Sequence, residues 1–242
     1  MTANPPDTAF ILAAGLGTRM RPLTDKTPKP MLEVGGIRMI DYAIQKLADI
    51  GVQHVIINTH YLSDVIESHL KNINRPRINI SNEPALLDTG GGIKNVLPQL
   101  GEKPFYVLAG DSIWTDGPDS PALKRLAEHW SGDKMDMLLL LQPVDKMTLT
   151  KGVGDYDVNP DGTITRSLDQ SGAYMFTSLR ILSPRVFESS PNGIFSLLPL
   201  MDHAEKRGRL HGLIHDGDWH HISTPADLQR VNADLGDLAQ ET

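Results

Sequence analysis

The stretch LAAGLGTRMRPLTDKTPKPM, Leu12 to Met31, decides how the chain is read. It follows directly on Ala9-Phe10-Ile11-Leu12-Ala13-Ala14, an unbroken apolar run of the kind that forms a strand buried on both faces of a parallel sheet. Gly15 and Gly17 let backbone N–H groups approach an anion without obstruction by a Cβ. Arg19, Arg21, Lys26 and Lys29 then place four cations within eleven residues, with Asp25 the only carboxylate among them. Pro22, Pro28 and Pro30 stiffen the segment, which lowers the entropy lost when it closes on a ligand. A rigid cationic loop at the carboxyl end of a buried strand suits a polyphosphate. It is neither a Walker loop, which needs Gly-Lys-Ser/Thr at its end, nor a dinucleotide fingerprint, because Met20 stands where the third glycine belongs.

The pattern outward from this loop alternates strand and helix. Ile40, Ala43, Ile44, Leu47 and Ala48 recur at helical spacing and stop at Gly51. His54 to Asn58 reads as a strand, a helix begins near Ser63, and Ile78 to Ser81 reads as a short strand. Gly90-Gly91-Gly92 opens a helix through Ile93, Val96 and Leu97. Phe105 to Ala109 is a buried strand ending at Gly110-Asp111. Pro121 to Trp130 reads as helix and Met135 to Leu141 as a core strand; Asp155 to Thr165 reads as a hairpin about Asn159-Pro160-Asp161-Gly162. Ala173 to Leu182 and Leu210 to Ile214 are strands, Phe195 to Arg207 is a helix, and Thr224-Pro225 with Asp227 starts a last helix. The expected architecture is α/β, a Rossmann-like mixed but mostly parallel central sheet with helices on both faces. No repeat, low-complexity tract or linker divides residues 1–242, so one domain is the simplest organisation.

Composition narrows the function. The 242 residues include no Cys, which excludes disulfides, thiolate metal sites and cysteine nucleophiles. A formal charge of -7 argues against a nucleic-acid partner. MTANPPDTAF does not read as a signal peptide, and no apolar run approaches membrane-spanning length. The expectation is a cytoplasmic protein with no membrane partner.

The loop resembles the signature of sugar-1-phosphate nucleotidyltransferases, L-A-A-G-x-G-T-R-[ML]-x-P-L-T followed by P-K-P. The resemblance continues through LLDTGGGI (Leu86 to Ile93) and LAGDSIW (Leu108 to Trp114), and more weakly through DWHHISTPADL (Asp218 to Leu228). The compact length, LLDTGGGI and GVGDY (Gly152 to Tyr156) are most similar to N-acetylmuramate-1-phosphate uridylyltransferases. The hexapeptide-repeat domain of some relatives is missing, so acyl transfer is not expected. The resemblance implies a nucleotidyltransferase fold, a nucleotide-binding part over about 8–115 and a sugar-binding part over about 116–235. It implies joining of a nucleoside triphosphate, UTP, to a sugar 1-phosphate with release of pyrophosphate, and a Mg²⁺ ion, or Mn²⁺, as cofactor. For the muramate substrate it also implies a place in bacterial cell-wall (peptidoglycan) sugar recycling.

The residues that the resemblance singles out carry specific roles. Ala13, Ala14, Gly15, Gly17, Thr18 and Arg19 would hold the nucleotide, with Arg19 on the triphosphate and the departing pyrophosphate. Lys29 would meet charge developing at the α-phosphate or the sugar phosphate. Asp111 is the implied metal ligand, a hard carboxylate suited to Mg²⁺; its alternative role is a helix cap. Glu83 would accept a ring N–H from uracil or guanine, or else be a solvated loop residue. Gly90 and Gly91 would admit the nucleoside, or serve only to start a helix.

Three departures from the family pattern stand out. His221 occupies the position of a usual second metal-binding Asp, with Ser223 at the following glycine; imidazole suits Mn²⁺ better than Mg²⁺. Asp216 and Asp218 lie nearby as carboxylates that might replace it. Ser178 replaces a glycine close to the sugar, and no V-E-K-P segment precedes it; Asp155 and Tyr156 are the candidates for that space. The competing readings are mannose-1-phosphate guanylyltransferase, another sugar-1-phosphate nucleotidyltransferase, a cytidylyltransferase relative, and a regulatory binder of nucleotide sugars without catalysis. Nothing in the sequence names an oligomeric interface.

Overall fold

Ala9, Phe10 and Ile11 are wholly buried, and the strand they form is the spine of the computed structural model. Residues 5–236 are described in it; residues 1–4, part of the segment read above as no signal peptide, and 237–242 lie outside. The strand, β1 (Thr8–Leu12), is followed by three short 3₁₀ turns at Thr18–Met20, Leu23–Asp25 and Lys29–Met31. Then come β2 (Glu33–Val34), β3 (Ile37–Arg38), α1 (Met39–Asp49), β4 (His54–Thr59), α2 (Ser63–Leu70), β5 (Arg77–Asn82), α3 (Asp88–Leu100) and β6 (Phe105–Ala109). The second half holds β7 (Ile113–Trp114), α4 (Ala122–His129), β8 (Met137–Pro143), β9 (Tyr156–Val158), β10 (Ile164–Arg166) and β11 (Tyr174–Leu182). It closes with α5 (Leu198–Lys206), β12 (Leu210–Ile214), β13 (Trp219–His220) and α6 (Pro225–Leu235).

The main sheet is mixed. β5, β4, β1 and β6 run parallel in that order, and β11 joins β6 antiparallel. β9 and β10 extend one arm, while β8, paired to β11, carries the parallel strand β12 on the other. Side chains alternate between the two faces of the buried strands, so each face needs its own cover. Ala9, Ile11, Val55 and Ile57 pack with Ile40, Ile44 and Leu47 of α1, Ile66 of α2 and Leu126 of α4. Phe10, Ile56, Val107 and Leu139 pack on the opposite face with Ile93 and Val96 of α3 and Met201 and Ala204 of α5. A third cluster joins Met20 of the loop to Val34, Met39, Ile113, Ile222 and Val231, so α6 fastens the base of the cationic loop.

Two expectations about elements change. Helix α5 begins at Leu198 rather than near Phe195, because Phe195 to Leu197 lie against the start of α3. There Phe195 N donates to Leu87 O, Gly91 N donates to Phe195 O, and Leu197 N donates to Thr89 Oγ1 (2.9 Å). The pairing of β7 with β13, Trp219 against Trp114, was not legible in the sequence, since each strand is two residues long. Thr224 does cap α6: its hydroxyl accepts from Asp227 N, and the Asp227 carboxylate accepts from Thr224 N, a capping box. No helix among the described residues is long and apolar enough to cross a membrane.

Candidate active site

The cationic loop is held at both ends and left open in the middle. Ala13 N donates to Asn58 Oδ1 (2.7 Å), tying the exit of β1 to β4. Gly17 has φ +61°, and a Cβ there would meet Thr24 and Lys29 side-chain carbons at 3.1 and 3.3 Å. Only glycine combines that backbone with that closeness. Thr24 Oγ1 closes the turn by donating to Gly17 O (2.8 Å), and the Tyr61 hydroxyl donates to Thr24 O (2.9 Å). Between these ties the N–H groups of Ala14 to Arg19 donate to no described residue. Six consecutive free donors running into a 3₁₀ turn form a ready anion cradle.

The cradle opens on a cleft of ≈ 380 Å³ lined by Ala13, Gly15, Gly17, Thr18, Arg19, Lys29, Leu86, Asp111 and Ser223, among others. Ala14 is buried behind it, and the Arg19 side chain is exposed and has no carboxylate partner among the described residues. Lys29 Nζ donates to Asp111 Oδ2, in an ion pair whose members are both partly buried. The sequence thus brings Arg19, Lys29 and Asp111 to one place. Asp111 caps no helix; β7 follows it.

His221 sits within electrostatic reach of all three. Burial first, then the Lys29 and Arg19 cations, hold its imidazole below the usual histidine range, against the pull of Asp111 and Asp227. Its backbone N–H donates to Thr150 Oγ1 (3.0 Å). The described residues hold no cluster of three or more His, Asp or Glu side chains placed for a metal. Asp216 does not join the site: it pairs with Arg125 and packs on Gly117. Asp218 stays beside Thr115, whose hydroxyl accepts from its N–H (3.2 Å).

Glu83, Gly90 and Gly91 are each drawn into close packing. Glu83 is 2% exposed, so it is not a solvated loop residue. Its Oε1 accepts from Asn58 Nδ2 (2.7 Å) and its Oε2 from Leu87 N (3.0 Å). Asn58 is therefore a hub that sequence reasoning missed: it links the phosphate loop, through Glu83, to the start of α3. Gly90 and Gly91 are buried packing positions. A Cβ on Gly90 would fall 2.4 Å from the Phe195 ring, and one on Gly91 would fall 2.2 Å from Gly193 O. They admit a neighbouring loop, and the same role accounts for Gly92 against Glu83.

A second cavity, also ≈ 380 Å³, lies where β9, β10 and β11 meet α5. Asp155, Tyr156, Arg166, Phe176, Leu198 and Met201 are among its walls. Burial raises the Asp155 carboxyl above its ordinary value, although the Phe176 N–H it accepts (2.9 Å) and the nearby His221 favour its charge. Burial likewise raises the Tyr156 phenol. Ser178 is not in the wall of this cavity; with φ +68° it occupies the bulge that interrupts the pairing of β11 with β8 between Phe176 and Arg180. A glycine suits that backbone, which gives a physical reason for the residue type that Ser178 replaces.

A nest of free N–H groups at a strand end, two cations and one carboxylate beside it, and a second cavity along the same sheet define an enzyme that handles nucleotide phosphates. The comparisons agree: the nucleotidyl transferase family model matches residues 8–152, and the chain belongs to that family. It is 36% identical to N-acetylmuramate alpha-1-phosphate uridylyltransferase of Caulobacter vibrioides, over 96% of this chain and 98% of that one. It is 34% identical to the protein of that name from Neisseria meningitidis serogroup B, over 94% and 98%. In fold it is similar to HddC from Yersinia pseudotuberculosis complexed with GMP-PN, with TM-score 0.73, 24% identity, and 94% and 99% coverage.

Proposed function

We propose that the chain transfers the uridylyl group of UTP to N-acetylmuramate 1-phosphate, giving the UDP-sugar and pyrophosphate. The observation that carries the polyphosphate half is the run of unpartnered N–H groups from Ala14 to Arg19 beside Lys29 and Asp111. The identity of sugar and base rests on likeness to the two uridylyltransferases over nearly their whole lengths.

In this reading the nest receives the β- and γ-phosphates, and the free Arg19 guanidinium takes up the charge of the leaving pyrophosphate. Lys29 shifts its ammonium from Asp111 to the incoming phosphates, where a compact cation meets charge growing at the α-phosphorus. The acceptor's phosphate oxygen, already ionised, attacks that phosphorus in line; one P–O bond forms as the bond to pyrophosphate breaks, and no general base is needed. Asp111 offers a single hard carboxylate in the cleft, which fits a divalent cation held jointly by one side chain and substrate phosphates. His221, kept neutral, is a nitrogen donor on the same side. When bound, Mg²⁺ or Mn²⁺ would supply charge neutralisation across the phosphate oxygens. The nucleotide-binding half would span about 8–115 and the sugar-binding half about 116–235, with Asp155 and Tyr156 toward the sugar. The substrates would place the enzyme in the cytoplasm of a bacterium that recycles cell-wall sugars.

The test is pyrophosphate release from UTP with N-acetylmuramate 1-phosphate, beside GTP with mannose 1-phosphate, each with Mg²⁺ and with Mn²⁺. Turnover of the first pair alone is expected. Turnover of the second pair alone would reassign both substrates. His221→Asp should shift the preference from Mn²⁺ toward Mg²⁺; an unchanged preference removes His221 from the metal.

A further inference from the structure

Arg180 is the anomaly of the sheet. It lies on β11 between wholly buried Leu179 and Ile181, is 4% exposed, and its side chain forms no ion pair or hydrogen bond with any described residue. Its Nε is buried and unpartnered. The guanidinium lies 5.3 Å from the centre of the Phe176 ring, and Tyr156 is the titratable group that acts on it. A guanidinium carries five donors and a charge that does not leave at neutral pH. Burial, opposed only by Tyr156, pushes its pKa down to about 10, and no carboxylate compensates the cation. Such a group is strongly destabilising unless something else brings the partner.

Its position says where that partner comes from. Phe176 and Tyr156, the two side chains next to the guanidinium, both line the second cavity, although Arg180 itself is not in its wall. The bulge at Ser178 re-aims the strand just before Arg180, as bulges beside sites commonly do. Arg180 stands opposite Val107 of β6, four residues before Asp111, or about 13 Å along the strand from the phosphate chemistry. The phosphates already have Arg19, Lys29 and the nest, so the anion that Arg180 awaits is a different one. Stacking on an aromatic face holds a guanidinium flat and leaves its edge for two parallel hydrogen bonds to a planar carboxylate.

Resting on the acceptor proposed above, whose sugar bears a lactyl ether ending in a carboxylate, we propose that Arg180 binds that carboxylate and so selects the acidic sugar over neutral amino-sugar phosphates. It is a specificity residue and takes no part in the transfer itself.

Steady-state kinetics with UTP would compare wild type, Arg180→Met and Arg180→Lys on N-acetylmuramate 1-phosphate and N-acetylglucosamine 1-phosphate, with Tm measured for each protein. In Arg180→Met the preference for the muramate, as a ratio of kcat/KM values, should fall about 100-fold, chiefly through KM, as expected for losing charge-assisted hydrogen bonds. Arg180→Lys should restore part of it, since charge returns without the fork. The Tm of Arg180→Met should rise, because an unpaired buried charge is removed; a residue of purely structural value would lower it. An equal fall on both acceptors, or an unchanged preference, overturns the assignment. If wild type uses neither acceptor with UTP, the proposed function fails first, and binding decides the rest. N-acetylmuramate itself should raise the Tm of wild type but not of Arg180→Met, and N-acetylglucosamine should raise neither. No stabilisation of wild type by N-acetylmuramate overturns the role of Arg180 as well.

Discussion

The cations of the first cavity and Arg180, beside the second, are held in opposite ways. In the first, Lys29 is paired with Asp111, and Arg19 lies out in solvent, so neither charge costs much before substrate arrives. Beside the second, whose wall holds Asp155 and an Arg166 paired with Asp202, the Arg180 side chain is buried with no acid partner among the described residues. The first arrangement suits a reactive centre, where charge must move from one partner to another during the reaction. The second suits recognition, where a fixed and costly vacancy punishes every ligand that lacks the right group.

The contrast can be broken from several sides. Lys29→Met should lower kcat by about 10²–10³ with little change in Tm, the size typical of removing one preorganised charge from a transition state. Near-normal turnover would show that the pair with Asp111 is only structural. Asn58→Ala strips a donor from buried Glu83 and an acceptor from Ala13 N, and should cost about 2–3 kcal/mol in urea unfolding. If stability is unchanged, the loop is not anchored through this hub.

Acid should weaken the fold through its histidines. His211, His215, His220 and His221 are all held below the usual range, chiefly by burial. In the unfolded chain they take protons near pH 6.5. Below that pH the unfolded state binds more protons than the native one, so stability is retained above it and falls as pH drops through it. Denaturation midpoints between pH 8 and 5 measure this, and His215→Gln should flatten the slope. The smallest effect is expected at the bulge: Ser178→Gly relieves a left-handed backbone and should stabilise by about 0.5–1 kcal/mol, net of the greater freedom of glycine in the unfolded chain. A loss of stability would mean that the serine hydroxyl holds the bulge.

How much could be read from the chain follows the same division. The first cavity was legible because its donors and cations are contiguous, and a free N–H run needs only the strand before it to be placed. The strands themselves were legible because apolar runs such as FIL and LLLL leave few other fates. The second cavity draws its walls from residues 155, 166, 176 and 198, which only the bent strand β11 brings together. The partners of Glu83 were not legible because a carboxylate's role depends on its neighbours, and Asn58 lies 25 positions away. What packs on the triple glycine was not legible for a related reason: lack of a Cβ reports close approach of something, but not that Phe195 lies on Gly90 and the Gly193 backbone on Gly91. Arg180 did carry a signal, a lone arginine in the otherwise buried run SLRIL.

The lacing of α3 to the 193–197 segment also decides where this enzyme can be altered. The segment 193–197 leads into α5, and surface connections of this kind are the usual place to insert or delete residues. Here that loop is the second half of a seam: it lies on Gly90 and Gly91, and those glycines begin the helix whose first turn is tied through Glu83 to the phosphate loop. A change of length at 193–197 would thus be transmitted to the triphosphate cradle. The hairpin turn at Asn159–Gly162 is tied instead to β12, where Gly212 N donates to Gly162 O, so a change of length there has no such path to the loop.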